Sequence, residues 1–444
     1  MLSGASFATA ILAAGLLASA PGRAETLLEV YRLARENDPK FRAAHAEARA
    51  AGTAIRQARA GFLPTVRLEI DRVETRQRVI ESRNPIFGAG VTTFPTDTDT
   101  LSVTQPIFRK DVIERFAQAK AVVRQAEYTL LAAEQDLILR TAAAYLVVLA
   151  AAASLALARA EREAVGKAAE LARERLRMGL GTIVNLHDAE ARFSVTRARE
   201  LEADSRLRDA RQGLREITGR LIETVQSLRE EFALENPDPP SVEPWLETAL
   251  AQNLMVRART EAVAVARQEV ERQRAGHFPS LNLVLNHSRR DAGSTLFGGG
   301  SKVETTDLML RLAVPIFEGG LTSAVTDEAA HRVQKALEEL EQERRSVERA
   351  TRAAFEGVVT GASLVRALGQ SVVSQRSALE AKEEGHRAGL LTLLAVLDAQ
   401  RDLYLARRDH AQARYEYLLA RLRLKLATGT LSEDDLVRLA AALR

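Results

Sequence analysis

Side chains able to do chemistry are plentiful in this sequence, but they are not spaced to do it together. Its 444 residues include 59 Asp and Glu, seven His and no Cys. Without Cys there is no thiol nucleophile, disulfide framework, Cys-based zinc site or lipid on an N-terminal Cys. The His residues are scattered, with no pair at metal-ligand spacing. The sequence holds no GxxxxGK followed by Ser or Thr, no GxGxxG, no HExxH and no GxSxG. Phosphate cradling, dinucleotide binding, zinc proteolysis and a nucleophile elbow are therefore unsupported, and no cofactor is implied. The acids lie on long helical segments, where pairing with Arg at i,i+4 accounts for them. An enzyme is rejected on these grounds. Formal net charge is +3 with no polybasic tract, so nucleic acid is not a partner. What remains is two dipeptides, Gly179-Leu180 and Gly389-Leu390, and one carboxylate, Asp398 in VLDA, just past the second. Gly at such places ends a helix through its tolerance of positive φ. Asp398, taken alone, reads as a solvated helix-face carboxylate.

The elements that must position these residues are written twice. Ala144-Tyr145 matches Ala354-Phe355, Gly179-Leu180 matches Gly389-Leu390, and Thr218-Gly219 matches Thr428-Gly429, each 210 residues apart. Pro106-Ile107-Phe108 matches Pro315-Ile316-Phe317, and Gly61-Phe62-Leu63-Pro64 matches Gly276-His277-Phe278-Pro279. Two repeats are expected, 25–235 and 240–444, joined at Asn236-Pro237-Asp238-Pro239-Pro240. Between Phe108 and Gly179 there is no Pro and a single Gly166. That composition predicts a helix of about 70 residues, about 105 Å long, too long for a globular domain. Its return path is expected in two pieces, 183–217 and 243–275. The second repeat sends 320–388 outward and 392–426 back. Aromatics are only 5% of the chain, so the contacts must be thin and filled by Ala and Leu, in a coiled coil or bundle. The uncharged run Thr141–Ala158 reaches the lower limit for a membrane span. Its repeat equivalent, 351–368, carries Arg352, Glu356 and Arg366, so a packed helix is expected instead.

Period-two alternation marks two strands in each half. Pro64–Asp71 and Thr100–Thr104 form one pair; Leu281–Asn286 and Leu308–Val314 form the other. Loops are expected over 82–99 and 290–305, within hairpins at about 62–107 and 278–316. Four strands cannot close a barrel, and open edges are not tolerated in lipid. Three chains would pool twelve strands, with apolar side chains toward lipid and the Arg, Glu, Asp and Asn face toward a wet lumen. At the N-terminus, residues 2–20 carry no charge and a Gly-Arg-Ala ending follows. This fits a signal peptide, 1–24, cut after Ala24.

With these pieces in place the chain resembles the TolC family of outer-membrane export channels. The matching segments are LLEVYRLARENDPKFRAA, GFLPTV, QPIF, RMGLGTIVNLHDAEARF, LREITG, GHFPSLNL, VPIFEGG and the stretch from RAGLLTLLAVLDAQRDLYL to LSEDDL. The missing N-terminal lipid Cys is similar to the TolC type rather than the lipidated drug-efflux branch. The resemblance implies a mainly α homotrimer: a long coiled-coil α-helical barrel through the periplasm under a shared β-barrel in the outer-membrane lipid. It implies a passive duct, opened when an inner-membrane pump and a periplasmic adaptor dock, with type I protein secretion through an ABC exporter as the first reading. Multidrug efflux for a proton-driven, RND-type pump is the alternative.

By that resemblance the adaptor docks at Gly179, Leu180, Gly389 and Leu390. Asp398 faces inward at the pore entrance. The family's second Asp, three residues earlier, is Ala395 here, so a ring of three carboxylates rather than six is expected, with weaker block by cations. The family's inter-helix closing contacts fall on Asn185, His386 and Leu391, which stand where an Asp, a Tyr and an Arg are found.

Overall fold

The computed structural model describes residues 24–81, 90–229, 232–294 and 299–443. The expected signal peptide, except Ala24, lies outside the described residues. Two helices dominate: α4 (Lys110–Arg177) and α8 (Leu321–Arg387), of 68 and 67 residues, each about 100 Å long. The other helices are α1 (Leu27–Asn37), α2 (Pro39–Gly52), α3 (Ala54–Ala60), α5 (Ile183–Thr218), α6 (Glu243–Gln252), α7 (Leu254–Arg274), α9 (Leu393–Ala427) and α10 (Glu433–Ala440). The strands are β1 (Thr65–Val79), β2 (Gly90–Phe108), β3 (Ser280–Ala292) and β4 (Ser301–Ala313).

A helix this long cannot bury its stripe against one short partner, so α4 changes partner along its length. Near the sheet it runs antiparallel to α7: Gln118 bonds Glu269 at 3.0 Å and Arg124 pairs with Glu261 at 2.8 Å. Toward its far end it runs antiparallel to α5, through Arg159–Glu200 at 3.4 Å and Arg173–Glu190 at 2.7 Å. The expected leg 243–275 is two helices rather than one. Asn253 leaves helical geometry and its Oδ1 accepts from the amides of Met255 and Val256, capping α7.

Midway along α4 and toward the end of α9 sits a knob that periodicity does not reveal. It gathers α1, α10 and the irregular stretch that follows α5. Its core holds Leu27, Tyr31, Leu137, Tyr145, Leu214, Ile222, Tyr417 and Leu436, all essentially buried. The Tyr145 hydroxyl donates to the Glu25 carbonyl at 3.1 Å and accepts from the Gln226 amide at 2.9 Å. Burial pushes that phenol up to about 12. Asp38 caps α2 and takes both Arg140 nitrogens, at 3.2 and 2.8 Å. The apolar run of α4 lies in this core, with Ala142, Tyr145, Leu146, Val148, Leu149 and Leu155 buried by protein.

The four strands form one antiparallel sheet in the order β1-β2-β3-β4. Its strands are longer than their alternation suggests. β2 begins at Gly90, inside the expected loop 82–99, while β3 runs to Ala292 and β4 starts at Ser301. The extra length is mostly polar on both sides, with only isolated apolar residues such as Val73, Phe94 and Val303, so it carries no period-two signal. On one face the registered rows read Val66–Val103–Leu285–Leu308 and, on β3 and β4, Leu283–Leu310 and Leu281–Leu312. Farther from the helices the same face becomes ionic, with Arg72 on Asp97 and Asp99, Arg289 on Glu304 and Lys302 on Asp291. The opposite face carries Arg67, Glu69, Ser102, Thr100, Asn286, Ser288, Asp307 and Arg311. Val66, Leu68, Ile70, Leu308, Leu310 and Leu312 are all exposed in the single chain, and β1 and β4 have free edges.

Candidate functional site

Both long helices end in the same way, because both carry Gly at the residue after the cap. At the first tip Gly179 has φ 74°, its amide donates to the Leu176 carbonyl, and the Leu180 amide donates to the Arg175 carbonyl. At the second, Gly389 has φ 75°, with Gly389 to His386 and Leu390 to Gly385 as the equivalent bonds. This is the Schellman arrangement, in which only Gly takes the left-handed position without penalty. Nothing lies within 4 Å of a β-carbon built on either Gly, so φ alone demands glycine. Thr182 and Thr392 then start the return helices, their hydroxyls accepting from the Asn185 and Ala395 amides. The result is two tight turns that lift one leucine each into solvent: Leu180 is 76% exposed and Leu390 81%. Met178, Ile183 and Val184 beside the first are exposed as well.

The tips differ by one exchange of bulk. In the first, Gly181 of the loop faces Arg175, and a β-carbon there would sit 3.1 Å from Arg175 Cβ. In the second the glycine is on the helix: a β-carbon on Gly385 would sit 2.8 Å from Leu391 Cδ1. Leu391 thus fills the space its own tip provides. His386 Nδ1 lies 2.8 Å from the Leu391 carbonyl oxygen, which can only accept, so Nδ1 carries the proton. Asn185 and His386 line one groove between the two tips, with Leu171, Arg175, Glu383 and Val396.

Asp398 lies on α9 beyond this groove and is not a bare carboxylate. Its Oδ1 accepts from Arg192 of α5 and lies 3.5 Å from Arg401, which also grips Asp402 at 2.8 Å. The Arg192 side chain is 16% exposed and that of Asp398 38%. One step higher, buried Glu161 of α4 pairs with Arg199 of α5 at 3.3 Å. Burial drives the Glu161 carboxyl above its ordinary value, with Arg199, Arg192, Arg401 and Arg408 pulling the other way. Sequence reasoning singled out Asp398 and missed Arg192. The signal available is positional: Arg192 stands 210 residues before Asp402. Among the described residues no three His, Asp or Glu side chains converge to hold a metal ion.

A sequence profile described as "Outer membrane efflux protein" matches the chain twice, over residues 30–220 and 245–430. Outer membrane protein TolC of Vibrio cholerae is 34% identical over 437 residues, spanning 97% of each chain. The alkaline protease secretion protein AprF of Pseudomonas aeruginosa is 30% identical over 417 residues, covering 94% of this chain and 86% of that one. Among solved structures, the Campylobacter jejuni CmeC outer membrane channel shares the fold, with a TM-score of 0.80 at 18% identity over 94% of this chain and 89% of its own. The chain belongs to the outer membrane efflux protein family, the TolC-type channels that sit in the outer membrane and extend into the periplasm, and it is not an enzyme.

Proposed function

We propose that this protein is the passive exit duct of a type I protein secretion system. Three copies would pool their strands into one twelve-stranded barrel. The antiparallel sheet has an even number of strands with free edges at β1 and β4, so β4 of one copy can join β1 of the next without breaking the alternation. The apolar face meets lipid and the polar face lines the lumen. Below it, the paired helices of three copies form the periplasmic tunnel. The observation that carries the reading is the pair of solvent-lifted leucines, Leu180 and Leu390, on tips of the same construction. Exposed leucines on rigid turns at the end of a tunnel suit a helical partner with an apolar groove. We assign Gly179, Leu180, Gly389 and Leu390 to adaptor docking, and Asp398, Asn185, His386 and Leu391 to the pore entrance. A relative named for alkaline protease secretion favours protein cargo, and an ABC exporter is the pump this reading assigns.

The cysteine-free chain makes the test direct. A single Cys at Leu180, carrying a photocrosslinker, is used to capture the partner in the native periplasm, and mass spectrometry identifies it. The expected capture is an adaptor belonging to an ABC exporter. An adaptor of an RND-type pump would make this a multidrug efflux duct instead. Absence of any adaptor would remove the docking assignment.

A further inference from the structure

Threefold repetition of Asp398 places three carboxylates at the entrance, yet each is already held by arginine within its own subunit. The arrangement is local and complete: Glu161, Asp398 and Asp402 face Arg199, Arg192 and Arg401. Three acids meet three guanidiniums across α4, α5 and α9. Arg192 is the pinned member, since it is the less exposed partner and reaches Asp398 from a different helix. A planar guanidinium on a carboxylate is a fixed geometry, not a diffuse counter-ion. A cation approaching the exposed side of Asp398 feels the carboxylate and the guanidinium at similar range, so attraction and repulsion largely cancel.

We propose that Arg192 determines the ionic selectivity of the entrance by masking Asp398, so that the resting ring shows no free carboxylate to cations. This rests on the reading of Asp398 as a pore-entrance residue. The masking depends on α5 and α9 lying together, so parting the two helices uncovers three carboxylates at once. The lumen then gains negative charge only when the entrance widens. Arg192 is in this sense a specificity residue acting through Asp398.

The test is single-channel conductance of the full-length protein in planar bilayers, with Mg2+ added on the helical side. Arg192→Gln should lower the half-blocking Mg2+ concentration about tenfold or more, since three masked charges are released together. Arg192→Lys, which keeps the charge, should stay close to the unmodified protein. Arg192→Gln combined with Asp398→Asn should bring block back to the starting value. A simple brace between helices would not produce this reversal. Equal block in Arg192→Gln and the unmodified protein overturns the inference, as does strong block persisting in the double variant. Should Arg192→Gln not assemble, Arg401→Gln frees charge on the same helix and must also tighten block; unchanged block there overturns it too. The underlying reading is checked separately by Asp398→Cys treated with a charged thiol reagent. Altered conductance keeps Asp398 in the pore whatever Arg192 does. Unaltered conductance removes Asp398 from the entrance, and the masking inference falls with it.

Discussion

The middle of α4 and its far end are one continuous helix in two unlike environments. In the knob, Leu137, Ala142 and Tyr145 are closed off by Leu27, Tyr31, Leu214 and Ile222, with essentially no exposed surface. Near the tip, the seam between α4, α5 and α9 has a small core, Val165, Ala169, Ala172, Ala189 and Leu397. Burying a large aliphatic side chain contributes about 1.5–3 kcal/mol, and an alanine methyl far less. The knob therefore fixes how the subunit is built. The tip end is held by small contacts and ion pairs, which can be exchanged at low cost when helices slide. The end proposed above to dock and open is the end with least to lose by moving.

That contrast can be broken by placing damage at each end, and the largest effect belongs to the knob. Leu214→Ala removes a fully buried side chain and should cost about 2–5 kcal/mol. It should appear as a lowered thermal midpoint and fewer heat-modifiable trimers; an unchanged midpoint would mean the knob does not anchor the fold. Leu180→Asp should do the reverse. Its side chain already stands in solvent, so the midpoint should hardly move. Adaptor capture at a crosslinker on Leu390 should nevertheless fall about tenfold or more, as for a central interface anchor. Loss of trimers in this variant would show that the tip is structural. Smaller again is Thr182→Ala, which removes the hydroxyl capping α5. About 1 kcal/mol of helix stability should be lost, visible as faster amide exchange confined to the first turn of α5. Exchange spreading into the knob would deny that the two regions are separable.

Much of this was legible in the residues. The four long helical legs end within a residue or two of their expected limits, because Gly179, Gly389 and the missing prolines leave few other places to stop. The strands are visible in the residues but look shorter than they are. Alternation exists only where one face meets an apolar medium, and VTTFPTDTDT at the start of β2 has polar side chains on both faces. The knob was hidden for a related reason: 220–242 has no period, and its contacts join segments far apart in the chain, as Tyr145 joins Glu25 and Gln226. Near the second tip, Asp398 stands out by its place just after the turn. Its partner is marked only indirectly: the repeat sets Arg192 opposite Asp402 in sequence, but does not state which residue of α5 lies against Asp398.

The smallest expected effect is a difference in the direction of titration. At the knob, burial raises the Asp38 carboxyl, but hydrogen bonds from Arg140 and the Phe41 amide outweigh it and hold the group below its ordinary 3.8. A depressed acid contributes stability that is present above 3.8 and lost as pH falls through the folded value. At the lower seam Glu161 moves the other way, raised above 4.5 by burial. Its contribution is fully present below 4.5 and lost as pH rises through the folded value. Acidification from neutral toward 4.5 should therefore tighten the α4–α5 seam while leaving the knob as it was, and only below 3.8 should the knob begin to loosen. Hydrogen exchange across α5 and α1, followed from pH 7 to pH 3 with intrinsic rates removed, reads both ends at once. In Glu161→Gln the tightening of α5 should vanish and the behaviour of α1 should persist. If both helices loosen together on acidification, the seam and the knob respond as one unit and the contrast between them does not hold.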